Sequence, residues 1–154
     1  MAKLKQLVIH CTATPEGREV SADNIRRWHC APPSEGGRGW RQVGYTDLIH
    51  LDGTVERLVD NNEDDVVDPW EITNGAAGHN SVSRHIVYAG GVAADGRTPK
   101  DTRTPEQRKA LAEYVRDFHR RFPDVRIVGH NELAVKACPS FDVKAWLEQI
   151  GINR

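Results

Sequence analysis

Two short apolar runs, each leading to a histidine, constrain this chain most. Leu7-Val8-Ile9 runs straight into His10, and the strand expected over residues 125–128 leads through Gly129 to His130. Short apolar stretches bounded by polar residues fit buried strands. Side chains at the ends of two such strands, if the strands are neighbours, converge at one edge of a sheet. Cys138, just before Pro139, would reach that edge from a loop that turns back.

The same stretch carries the densest chemistry. His130, Lys136 and Cys138 fall within nine residues of one another. With His10 they offer two imidazoles and a thiolate, a suitable set of three protein ligands for zinc. Three protein ligands leave a fourth position for water, the pattern of a catalytic site. A lysine beside it can steady the charge that builds up when an amide is attacked. From the residues alone, Lys136 also fits a solvated loop charge, and Tyr45 a strand tyrosine packed on the sheet.

Further elements follow from local signals. Ser21 caps a helix from Ala22 to about His29, with Ile25, Trp28 and His29 on one face. Pro32-Pro33-Ser34-Glu35-Gly36-Gly37-Arg38-Gly39 is a loop by composition. Residues 45–51 and 55–59 form a hairpin around Asp52-Gly53. Residues 60–78 read as a long surface loop or a lid over the site. The plainer alternative is a solvated connection with Trp70 pinned to the core. Residues 84–89 form a strand ending at Gly90-Gly91. Thr104-Pro105-Glu106-Gln107 opens a helix whose apolar stripe is Leu111, Tyr114, Val115, Phe118 and Phe122. Asp142 starts a last helix that Gly151 stops, with Val143, Trp146, Leu147 and Ile150 inward. Strands and helices mixed along the chain, without a repeat, predict an α/β fold. It is a single mixed central β-sheet flanked by helices, with the zinc site at one edge of the sheet.

Composition excludes several classes. The 154 residues suit one domain with a real core, taken here as residues 1–154. A net charge of −1 gives no reason to expect nucleic-acid binding. Three cysteines with no CxxC pair argue against a disulfide framework and a zinc ribbon. Cys11 should face away from His10 if its strand is regular, and it and Cys30 are read as free thiols. No apolar run approaches membrane-spanning length, and the N-terminus lacks the features of a signal peptide. Cytoplasmic synthesis is therefore expected, with release by other means if the substrate lies outside.

Ordered motifs then carry a resemblance. Val8-Ile9-His10-Cys11-Thr12-Ala13-Thr14 and Ile25-Arg26-Arg27-Trp28-His29 open it. Gly39-Trp40, Val43-Gly44-Tyr45 and Leu51-Asp52-Gly53-Thr54-Val55-Glu56 follow, then Gly78-His79-Asn80 and Gly90-Gly91. Thr104-Pro105-Glu106-Gln107, Gly129-His130 and Lys136-Ala137-Cys138-Pro139-Ser140-Phe141-Asp142 close it. Across nearly its whole length the chain resembles the zinc-dependent N-acetylmuramoyl-L-alanine amidases. That family includes small phage lysozyme-amidases and the peptidoglycan recognition proteins.

The resemblance implies that His10, His130 and Cys138 bind Zn2+, with Tyr45 and Lys136 as the catalytic pair. It implies hydrolysis of the amide between N-acetylmuramic acid and L-alanine by a monomeric phage or prophage lysis enzyme acting on the cell wall. Peptidoglycan or a muropeptide is the partner. A cytoplasmic muropeptide-recycling amidase is the near alternative, and a non-catalytic peptidoglycan-binding protein the distant one. The chain departs from the family at two places. Thr46 stands where a histidine usually follows the Gly-Tyr pair, and Asn74-Gly75-Ala76-Ala77 lacks the histidine often found there. Both departures bear on substrate contacts rather than on the metal ligands. Among the other histidines, His79 and His85 are candidates for the cleft wall, and His29 is expected to pack.

Overall fold

A computed structural model describes residues 2–153. Its strands and α-helices, in chain order, are β1 (Ala2–Lys3), β2 (Gln6–Cys11), β3 (Thr14–Pro15), α1 (Ala22–Cys30), β4 (Asp47–Ile49), β5 (Val55–Arg57), β6 (Val66–Val67), β7 (Ser83–Tyr88), β8 (Gly91–Val92), α2 (Pro105–Arg121), β9 (Arg126–Gly129) and α3 (Val143–Gln149). The central sheet has five strands in the order β5-β4-β7-β2-β9. Strands β4, β7, β2 and β9 run parallel, and β5 returns antiparallel from β4. The sheet is therefore mixed, as the sequence predicts.

Every residue of β2 and of β7 is buried. Parallel strands in this position are covered on both faces, which explains the apolar run Leu7-Val8-Ile9 in β2 and Ile86-Val87-Tyr88 in β7. On one face, Leu7 and Ile9 of β2 meet Leu111 and Val115 of α2 and Trp146 and Leu147 of α3. On the other, Ile25 of α1 packs with Val43, Leu48 and Val87. Ile25 is fully buried, and removing such a side chain from water contributes about 1.5–3 kcal/mol.

The helix starts follow the expected chemistry. Ser21 Oγ accepts from the Asn24 N–H at 3.0 Å, and Asn24 Oδ1 accepts from the Ser21 N–H at 3.1 Å. Thr104 Oγ1 accepts from the Gln107 N–H at 3.0 Å, and Gln107 Oε1 accepts from the Thr104 N–H at 2.9 Å. Each is a reciprocal cap that satisfies two otherwise orphaned donors. The Gln107 amide goes further and donates to the Ala89 carbonyl at 2.9 Å. It thereby ties the start of α2 to the carboxyl end of β7.

Residues 60–78 form a largely irregular surface segment, as expected, but one anchored to the fold. Val66–Val67 pairs antiparallel with Ala2–Lys3. Glu71 is buried and accepts from the backbone N–H groups of Asn62 and Asp68. Val67, Thr73 and Ala76 are buried as well. Asn74, Gly75, Ala76 and Ala77 line a cleft, and bonds from a buried carboxylate to two backbone donors anchor this segment. Trp70 is not its anchor, since 52% of the residue is exposed.

Candidate metal centre

Sheet register explains why the two candidate histidines meet. In β2 the side chains alternate, so Leu7, Ile9 and Cys11 face α2 and α3, while His10 faces the α1 side. Strand β9 lies parallel beside β2, with Val8 opposite Val128 and Ile9 opposite Gly129. His130 therefore emerges next to His10 at the carboxyl end of the sheet. Their ring centroids are 4.7 Å apart. This end, formed by an interior and an outer strand together, is the edge that carries the site.

Cys138 arrives from the loop before α3. The Tyr88 hydroxyl donates to the Pro139 carbonyl at 2.6 Å, and the Ser140 hydroxyl donates to the Gly91 carbonyl at 2.7 Å. These bonds fasten the two residues that follow Cys138. Gly91 is required here, because a Cβ on it would lie 2.3 Å from the Cys11 sulfur. Cys138 Sγ sits 3.7 Å from His10 Nδ1. Ligand atoms of His10, His130 and Cys138 all lie within 4.8 Å of one another. Zinc–nitrogen and zinc–sulfur bonds of about 2.0 and 2.3 Å set at a tetrahedral angle put such atoms roughly 3.3–3.5 Å apart. The donor set and its spacing therefore fit zinc, with small inward adjustments.

Electrostatics favour neutral imidazoles. Burial first, then the neighbouring histidines, pushes His10 well below its ordinary range. Burial and then the Lys136 charge lower His130. Neutral rings are what a metal requires of histidine. Hydrogen bonding with the Cys11 sulfur, followed by burial, raises the Cys138 thiol. Cys11 itself faces the opposite side of the sheet from His10 and is a free thiol, as is Cys30.

Tyr45 sits just before β4, its ring centroid 5.1 Å from that of His10. Burial, and then the two nearby sulfurs, raise its phenol, which therefore stays protonated at neutral pH. Lys136 is exposed and follows the fully exposed Val135. Both Tyr45 and Lys136 line a recess of about 350 Å³ together with Cys11, His130 and Cys138. A second recess of about 530 Å³ adjoins it through Arg38, Trp40, Gly75, His130 and Lys136, and adds Arg41 and His79. Four of the five expected residues thus line one cleft, and His10 lies buried behind them, its ring against those of Tyr45 and His130.

Sequence reasoning undervalued two histidines. His29 is more than packing: its Nδ1 accepts from the Gly44 N–H at 2.9 Å, and its ring lies 5.3 Å from that of Tyr45. His85 is fully buried, and burial lowers it to about 3. Its Nδ1 lies 2.8 Å from His10 Nε2. Strand register was the missing signal: Val8 is opposite His85, so His85 and His10 are diagonal neighbours on one face. Thr46, one of the departures noted above, donates its backbone N–H to the His85 carbonyl.

Known proteins resemble this arrangement. The profile of the N-acetylmuramoyl-L-alanine amidase family matches residues 1–141. The endolysin of Enterobacteria phage K11 is 34% identical over 143 residues, covering 93% of this chain and 85% of the relative. The endolysin of a Thermus scotoductus bacteriophage superposes with a TM-score of 0.70 at 27% identity, over 99% of this chain and 88% of the other. The N-acetylmuramoyl-L-alanine amidase LysC from Clostridium intestinale superposes with a TM-score of 0.73 at 19% identity, over 99% and 88%. That last likeness concerns the fold.

Proposed function

We propose that this chain, which belongs to the N-acetylmuramoyl-L-alanine amidase family, uses His10, His130 and Cys138 to hold a catalytic zinc ion. It is a peptidoglycan amidase of the phage endolysin kind. The bond cut is the amide between N-acetylmuramic acid and L-alanine. The observation that carries this is the convergence of two imidazoles and a thiol within 4.8 Å, with His130 and Cys138 lining a cleft and His10 buried behind them.

Bound there, zinc supplies Lewis acidity to polarise an amide carbonyl and activate water. The chain's own groups do the rest. Lys136 brings a positive charge to the wall of the recess, where an oxyanion would develop. Tyr45 keeps its proton and serves as a hydrogen-bond donor to the same charge. Its ring is held against His10 and His29. The two adjoining recesses form a cleft longer than one bond needs, which suits a polymer with its peptide stem. Polymer cleavage favours the lysis role over the recycling of small muropeptides. Cys138 completes a three-ligand set, which supports catalysis over binding alone. A structural zinc site would need a fourth protein ligand, and the cluster among the described residues offers three.

We take the chain to work as one monomeric domain on the cell wall after release. Among the described residues, no helix is long and apolar enough to cross a membrane. The test is digestion of purified peptidoglycan. New N-terminal alanine should appear on amine labelling, without new reducing sugar ends, and a chelator should stop it. Reducing ends without new alanine would mean glycosidic cleavage, which ordinarily needs paired carboxylates.

A further inference from the structure

We propose that His85 is a positioning residue for the metal site, which with Asn80 fixes the tautomer of His10 so that a bare Nδ1 faces Cys138. This rests on the zinc reading of that site.

The direction of each proton follows from one backbone amide. The Ala76 N–H donates to Asn80 Oδ1 at 2.9 Å. A backbone amide can only donate, so the atom facing it is the carbonyl oxygen, and the Asn80 amide has one orientation. That oxygen can only accept. His85 Nε2, 3.0 Å from it, must therefore carry a hydrogen. A neutral imidazole carries one, so His85 Nδ1 is bare and accepts. His10 Nε2 lies 2.8 Å from that bare nitrogen and must be the donor. His10 Nδ1 is then left with its lone pair free, on the side of Cys138 Sγ at 3.7 Å. Metal-ligating histidines generally need such a partner on the far nitrogen to fix ring and tautomer.

Packing leaves the relay little freedom. His10 is 1% exposed and His85 0%. The backbone at Gly75 presses on the His85 ring so closely that a Cβ there would lie 2.5 Å from Nδ1. The other side of the His85 backbone is pinned by the Thr46 N–H. Asn80, His85 and His10 thus form a line of hydrogen bonds that starts in the cleft wall and ends at the ligand atom.

The direct test is the long-range proton–nitrogen NMR correlation pattern of the zinc-free protein at neutral pH. His10 and His85 should both show the Nε2–H form. A Nδ1–H form of His10 overturns the inference. Zinc affinity by chelator competition gives an independent arm. His85→Leu should weaken zinc binding by about 10–100-fold. Asn80→Leu should weaken it in the same direction, and Asn80→Asp, which keeps an acceptor, should restore affinity to within about threefold of the parent. A purely structural role would lower the melting temperature in excess chelator and leave zinc affinity alone; that result overturns the inference. If His85→Leu does not fold, the Asn80 pair decides: equal affinity in Asn80→Leu and the parent overturns it. A parent that binds no zinc removes the site itself, whereas a parent that binds zinc through Cys138 with His85→Leu unaffected removes only this inference.

Discussion

The Cys11 backbone N–H points at the Cys138 sulfur across 3.2 Å, so one candidate ligand is aimed by the backbone next to another. A donor directed at sulfur favours the thiolate, while hydrogen bonding with the Cys11 sulfur and burial oppose it. A cation bound by Cys138 tips the balance by displacing the thiol proton.

Cys138→Ala should therefore lose zinc and hydrolysis together and keep its fold. The loop stays fastened through Pro139 to Tyr88 and through Ser140 to Gly91, neither of which uses the Cys138 side chain. Cys11→Ala retains the backbone donor and should keep the parent's zinc content. Metal analysis beside circular dichroism checks both. Full zinc in Cys138→Ala would remove it from the ligand set.

Lys136→Ala and Tyr45→Phe should separate catalysis from metal binding. Neither side chain belongs to the three-residue ligand cluster, and both line the recess beside it. Zinc content should match the parent while amide cleavage slows by about a hundredfold or more, the usual cost of losing an oxyanion donor. Turbidity loss of purified cell walls measures the rate. Parent-like rates in both variants would take them out of the mechanism.

Much of this was legible in the residues. The Ser21 cap announced α1 and the Thr104–Gln107 start announced α2, Asp52-Gly53 announced the hairpin, and the apolar runs before His10 and His130 announced neighbouring strands. Local chemistry writes such features directly into short stretches. The role of His85 was not legible, because it depends on β2 and β7 pairing with Val8 opposite His85. The anchoring of residues 60–78 was only partly legible. Glu71 accepts from the Asp68 N–H in a capping box that Asp68-Pro69-Trp70-Glu71 does spell locally, whereas its bond from the Asn62 N–H has no local signature.

Gln107 carries a prediction about stability. Its side chain is fully buried and its amide donates to the Ala89 carbonyl at 2.9 Å, while its oxygen caps the helix. Gln107→Leu keeps the volume but leaves a buried carbonyl unpaired and a helix N–H uncapped. Each such group costs about 1–3 kcal/mol. Urea unfolding should show a loss of at least one such increment, with the slope against urea unchanged. A midpoint equal to the parent's would mean that water replaces the lost bonds.

Acid should weaken the metal-free fold through buried neutral histidines. Burial, then the Arg38 charge, lowers His29 from 6.5 to about 4. Burial, then the charges of His130 and His79, lowers His85 from 6.5 to about 3. In the unfolded chain both rings return to about 6.5. Below that value the unfolded chain takes up protons that the folded chain refuses, so stability falls as pH falls. Above about 6.5 neither ring is protonated in either state, and they contribute no slope. Each contributes up to about 1.4 kcal/mol per pH unit below the unfolded value until its folded value is reached. Urea midpoints of chelator-treated protein should therefore decline between pH 6.5 and about 4, the interval set by His29. His29→Gln, which cannot take up a proton, should flatten that decline relative to the parent. A profile as steep as the parent's in this variant would show that His29 is protonated in the fold and stays out of the linkage.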